Sequence, residues 1–116
     1  MNFDEFRGHI ESFRRTVEEE GTLRKDSYYC LDKLYKFYKQ LDDEERKMAD
    51  KVLSEWVLSD HENIRFEAMA MIREFKVVTT SEALRKQAVE LRFSRSPGAP
   101  YEIIKIQSIF QSFNEK

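Results

Sequence analysis

Asp60-His61-Glu62-Asn63-Ile64-Arg65-Phe66-Glu67-Ala68-Met69-Ala70-Met71-Ile72-Arg73-Glu74-Phe75 is the stretch that decides the fold. Ile64, Ala68, Met71, Ile72 and Phe75 recur at spacings of three and four. That period places them on one face of a helix from about His61 to Lys76. Phe66, Met69 and Ala70 fall outside this stripe, and a helix apolar most of the way round is buried between neighbours. Ser59-Asp60 supplies the helix start, with Asp60 the predicted N-cap.

Outward from this helix the same period recurs five times. Upstream, Phe6, Ile10, Phe13 and Val17 share a face of a first helix over about Phe3 to Glu20, and Gly21-Thr22 is read as its end. A second helix, about Asp26 to Leu41, turns Cys30, Leu31, Leu34, Phe37, Tyr38 and Leu41 inward. A third, from Asp42 to about Leu58, opens with a capping box at Asp42 and Glu45 and carries Met48, Ala49, Val52, Leu53 and Trp56. Downstream, Val77-Val78 leads into a predicted capping box at Thr79 and Glu82. A fifth helix follows, about Ser81 to Phe93, with Leu84, Ala88 and Leu91 on one face and Val89 and Phe93 on another. Ser94 to Pro100 reads as a loop, because two prolines and a glycine oppose a helix there. A sixth helix, about Tyr101 to Asn114, carries Ile103, Ile106, Ile109, Phe110 and Phe113. The fold class is all-α, and short connections predict antiparallel neighbours. A bundle and a stack of helical hairpins both satisfy this. The fourth helix favours the stack, since stacked hairpins bury interior helices on two sides.

Composition agrees with one small helical domain. The chain has 116 residues, 41% hydrophobic and 36% charged, enough apolar material for a core. Only 3 Gly and 2 Pro argue against a small all-β protein. The net charge of -2 removes bulk basicity as a pointer to nucleic acid. A single cysteine, Cys30, makes no internal disulfide. The start, Met1-Asn2-Phe3-Asp4-Glu5, is acidic without an apolar signal core, and the longest apolar run is Ala68 to Ile72. A soluble, cytoplasmic protein with no membrane role is the expectation.

Sliding the chain against itself at an offset of 38 sets Ala68, Met71, Ile72 and Phe75 on Ile106, Ile109, Phe110 and Phe113. Asp60 then falls on Gly98 and Ile64 on Glu102. The spacing lies near the short end of helical-hairpin repeats. Any two amphipathic helices can also be aligned on their apolar faces. The stretch Asp60 to Ala68, continued by Met71-Ile72 and Phe75, resembles the second helix of a HEAT-like repeat. In that family an Asp precedes an aliphatic-Arg pair, followed by small and aliphatic residues. The resemblance is tight over about 60–75, loose over 42–113 and absent from the first two helices. It implies stacked hairpins and protein-binding scaffolding, with Asp60 capping the helix and Arg65 pairing with an Asp of a neighbouring repeat. It implies no chemistry.

No motif for catalysis stands out. Gly8, Gly21 and Gly98 are isolated, so there is no phosphate loop. His9, His61, Cys30 and scattered carboxylates do not form a zinc set, although Glu5 and His9 are one turn apart. Asp60-His61-Glu62 resembles an acid/base cluster, but acids at a helix start are explained by capping and the helix dipole. Cys30 lies on an apolar face, the place of an inert thiol. Neither an enzyme nor a cofactor is expected.

The remaining signals are on the surface. Tyr28 and Tyr35 flank the apolar face of the second helix, and tyrosine is a favoured interface anchor, although both could instead pack on the first helix. Residues 1–62 hold 11 basic and 16 acidic residues, while 63–116 hold 9 and 6. Glu18, Glu19 and Glu20, and Asp42 with Asp43, Glu44 and Glu45, form two acidic runs suited to a basic partner. The same runs also suit a solvated helix end and helix start. The leading expectation is a protein-binding module, in its most concrete form an immunity-type inhibitor covering a toxin. A general adaptor is the nearest alternative. A nucleic-acid scaffold using Arg65, Arg73, Lys76, Arg85, Lys86, Arg92, Arg95 and Lys105 ranks below both, because acids interleave with these bases and the chain is short for a cradle.

Overall fold

A computed structural model describes residues 2–24 and 28–114. The fold is all-α. Among the described residues there are six α-helices, one 3-10 turn and no strand. The helices are α1 (Phe3–Arg24), α2 (Tyr29–Lys39), α3 (Asp43–Val57), α4 (Glu62–Phe75), α5 (Ser81–Arg92) and α6 (Ala99–Phe113), with the 3-10 turn at Val78–Thr80. The chain forms two compact units, Met1–Val52 and Leu53–Lys116.

In the first unit α1 packs on α2. The Phe13 and Phe37 rings stack at 4.7 Å, and Phe6 approaches Phe37 at 6.4 Å. Phe6, Ile10 and Val17 are buried as their spacing predicts, facing helix positions that include Cys30, Leu34 and Tyr38. Leu31, Phe37 and Leu41, predicted to be inward, are only half-buried. The predicted start of α2 at Asp26 lies outside the described residues. Asn2 opens α1 by accepting the Glu5 N–H at 2.8 Å, and its amide returns a bond to the Glu5 carboxylate. At the start of α3 the Asp42 carboxylate accepts the Glu45 N–H at 2.8 Å and the Asp42 main-chain N–H donates to the Glu45 carboxylate at 3.1 Å, so that capping box forms as read. The end of α1 differs from the reading. The helix runs through Gly21-Thr22 to Arg24. Glycine ends a helix by adopting a left-handed conformation, and no described glycine does so.

In the second unit α6 packs on both α4 and α5. Burial on α4 extends beyond one stripe, through Glu67, Ala68 and Met69 and again at Met71 and Ile72. Phe66 stays 41% exposed. Leu84 and Leu91 of α5 and Ile106 and Ile109 of α6 are buried, while Ile103, Phe110 and Phe113 are half-buried.

Three predicted helix starts also need correction. The N-cap of α4 is His61, with extended φ -90 and ψ 118, and no side chain caps it. Asp60 is therefore one residue too early for its carboxylate to serve as the cap. Ser59 instead accepts the His61 N–H at 3.1 Å. The Thr79–Glu82 box also does not form. The Thr80 and Ser81 hydroxyls donate back to the Val77 and Val78 carbonyls, at 2.7 and 2.6 Å, and hold the 3-10 turn that precedes α5. Finally α6 begins at Ala99, with Pro100 in its first turn, where a proline lacks no hydrogen bond that the helix needs.

Val77 has a structural role of its own. Lys76 ends α4 at φ 50, the left-handed region, and the Val77 N–H reaches back to the Ile72 carbonyl at 3.0 Å. Val77 itself is buried. This is a Schellman-type end with its apolar residue just beyond the turn. A non-glycine residue in that conformation costs about 1–2 kcal/mol. Lys76→Gly is thus expected to raise stability by about 1 kcal/mol in urea unfolding, and a lower midpoint would contradict this account of the helix end.

Candidate functional site

Arg65 of α4 is the best-fixed polar group of the second unit. Its Nε lies 3.3 and 3.2 Å from the two Glu102 oxygens, and its Nη2 donates to Glu102 Oε1 at 2.9 Å. Nη1 donates to the Ser59 carbonyl at 3.0 Å. Both side chains are largely buried, 16% and 12% exposed. The planar guanidinium suits this task, because its fork meets a carboxylate on two atoms and still has a donor for a carbonyl. One side chain therefore joins α4, α6 and the turn after α3.

Two clefts lie on either side of this ion pair. One, of about 440 Å³, has Leu58, Ser59, Asp60 and Arg65 on one wall. Lys86, Gln87, Glu90, Leu91 and Ser94 form the other. The second cleft, of about 300 Å³, is lined by residues of α4 and α6, among them Phe66, Met69, Tyr101, Glu102 and Lys105. The Lys105 ammonium sits 4.6 Å from the Phe66 ring centre.

Gln87 is the polar residue that sequence reading missed. It is 8% exposed, and its side-chain amide forms no hydrogen bond among the described residues. The signal was present, since Gln87 stands three residues after Leu84 and four before Leu91, a polar residue inside an apolar stripe. The amide is not sealed in, because its atoms touch the first cleft.

The predicted partner-binding residues fall in the first unit, apart from these clefts in sequence. Tyr28 is 70% exposed and precedes α2 as its N-cap, while Tyr35 is half-buried. Glu18 pairs with Arg14 at 3.0 Å. Glu20 accepts the Tyr29 hydroxyl at 2.9 Å, which brings the start of α2 to the last turns of α1. Glu45 is engaged in its capping box. Glu19, Asp43 and Glu44 are exposed and make no hydrogen bond or ion pair among the described residues. No bond among those residues joins the Glu18–Glu20 end to Asp43–Glu45. Glu5 bonds Asn2 and is not brought onto His9. Cys30 is buried. Among the basic residues of the second unit, Arg65 is held by Glu102 and Arg85 lies over the Phe110 ring at 5.5 Å.

One titratable pair is perturbed. Tyr38 donates to Asp50 at 3.0 Å, with the Arg46 guanidinium 5.5 Å from the Tyr38 ring centre. Burial raises the Asp50 carboxyl above its ordinary 3.8, against the lowering effects of the Tyr38 hydrogen bond and Arg46. Burial, reinforced by the Asp50 charge and hydrogen bond, pushes Tyr38 up to about 12, with Arg46 opposing. These groups brace α2 against α3 and line neither cleft.

No protein-family model, curated protein or solved structure matches this chain. Among the described residues, no helix is long and apolar enough to cross a membrane, and no group of three His, Cys, Asp or Glu could hold a metal ion.

Two outcomes follow from this geometry. Arg65→Lys keeps the charge but loses the fork, so stability is expected to fall by about 1.5–3 kcal/mol, and an unchanged denaturation midpoint would show that the bridge is unimportant. The raised Asp50 means that the folded state prefers its neutral carboxyl. Its contribution to stability is complete below the unfolded value and is lost as pH rises through the folded one. Asp50→Asn stays neutral and can still accept the Tyr38 bond. Its urea midpoint should therefore gain on the natural chain as pH rises from 3.8, whereas a constant difference would refute the burial effect.

Proposed function

We propose that this protein is a helical binding module that acts stoichiometrically on a protein partner, without turnover. The observation that carries the reading is the corner between α1 and α2. There Leu23 is 85% and Tyr28 70% exposed, beside an acidic helix end held to α2 by the Tyr29–Glu20 bond. An aromatic anchor with an acidic rim suits a basic protein surface: the anchor supplies contact area and the rim steers encounter. An immunity-type inhibitor covering a toxin is the most concrete version, acting in the cytoplasm. The scaffold is of HEAT-like kind in this reading. In support, α6 packs on α5, its hairpin partner, and on α4, the second helix of the hairpin before.

The test is a titration against the product of the adjacent reading frame, analysed on a sizing column and by enzymatic assay of that product. The expected result is a saturable complex of fixed ratio. Reversing Glu19, Asp43 and Glu44 to Lys disturbs no hydrogen bond or ion pair among the described residues and should slow association about tenfold at low salt, with little change in dissociation. Inactivation of excess partner by a substoichiometric amount would overturn the reading and require a hidden active site.

A further inference from the structure

We infer that the cleft beside Arg65 binds an arginine residue within a peptide, its guanidinium between Asp60 and Glu90 and its main chain on Gln87. The inference takes from the proposed function only the source of the peptide. The recognition chemistry comes from the cleft.

The inventory of unmatched groups selects the ligand. The Arg65 charge is already balanced by Glu102, and its Nη1 donor is taken by Ser59. Asp60 makes no hydrogen bond or ion pair among the described residues, and α4 starts too late for it to cap. Lys86 and Glu90 stand one turn apart on α5 yet make no ion pair. The open charges on the cleft walls are thus two carboxylates and one ammonium, a balance that favours a cation. Between them lies the Gln87 amide, nine-tenths buried and without a protein partner among the described residues.

A simple metal cation would leave the Gln87 N–H donors unmatched, and an alkylammonium would bring only three donors on a point charge. A guanidinium offers five donors in a plane, enough to divide between the two carboxylates and the Gln87 carbonyl oxygen. The Gln87 N–H group then needs an acceptor beside the guanidinium. A peptide carbonyl provides one, and a side-chain amide pairs with a main-chain amide through one donor and one acceptor. The cleft volume of about 440 Å³ is in the range of small-ligand sites.

The test uses the full ¹⁵N-labelled chain and the peptide acetyl-glycyl-arginyl-glycine amide. Saturable shifts are expected at the Gln87 side-chain amide and at the Asp60 and Glu90 main-chain amides. Asp60→Asn and Glu90→Gln should each weaken binding about two- to fivefold, since both carboxylates are exposed. Gln87→Ala should weaken it about fivefold, and because both carboxylate variants lie at the surface, a folding defect in Gln87→Ala leaves the assignment testable. The peptide with citrulline in place of arginine matches its shape without the charge, and equally tight binding by it overturns the inference. Agmatine supplies the guanidinium without the main chain, and affinity equal to the peptide's overturns the peptide assignment. No saturable peptide binding by a chain that still forms its protein complex would overturn this inference alone.

Discussion

A guanidinium taken out of water must find an acceptor for each buried donor, or the fold is penalised by several kcal/mol. Arg65 meets that demand by reaching three places at once: both oxygens of Glu102 on α6 and the Ser59 carbonyl beyond α3. Much of the second unit follows from this bridge. It sets α6 against α4 at a polar point, where apolar packing alone would allow sliding. It also holds the turn at Ser59, so the chain passes through extended His61 before α4 begins. Asp60 is thereby left outside the helix, on a cleft wall. The ion pair even partitions the surface, since Arg65 lines one cleft and Glu102 the other.

The helices themselves were legible because burial imposes a period that the sequence must carry. Ile10, Leu34, Leu84 and Ile106 are all buried and all stood on predicted apolar faces. Helix ends were less legible, because several local signals compete and only the tertiary arrangement selects among them. Gly21 can stop a helix but is tolerated inside one at a cost of about 1 kcal/mol, and here it is helical and buried within α1. Pro100 forbids a helix interior yet suits a first turn, so the same residue reads as breaker or starter according to where α6 begins.

The candidate site shows the same division. Arg65 could be singled out by its place in a helix motif. Its partner could not, because Glu102 is 37 positions away and the repeat alignment set it on Ile64 instead. Gln87 was hidden differently. Its own environment is readable from Leu84 and Leu91, but whether a polar residue in that stripe finds a partner depends on what packs opposite. Side-chain pairing between helices is a property of the fold that no local window contains.

Charge counts require the same correction before they say anything about binding. The first part of the chain is acidic, but several of its carboxylates are engaged: Glu5 and Asp42 at helix starts, Glu18 with Arg14, and Glu20 with Tyr29. Those that project without a partner among the described residues include Glu19, Asp43 and Glu44. Exposed charges of this kind contribute little to affinity, because water and salt screen them at contact, yet they add to the long-range field that orients an approaching molecule. In the proposed reading, affinity comes from groups that shed water, and Leu23 and Tyr28 are the exposed apolar candidates at the α1–α2 corner. Neither an acidic rim nor an exposed tyrosine would suffice alone. The Tyr29–Glu20 hydrogen bond ties the start of α2 to the last turns of α1 and so sets Tyr28 near one acidic helix end, the juxtaposition on which the proposed reading rests.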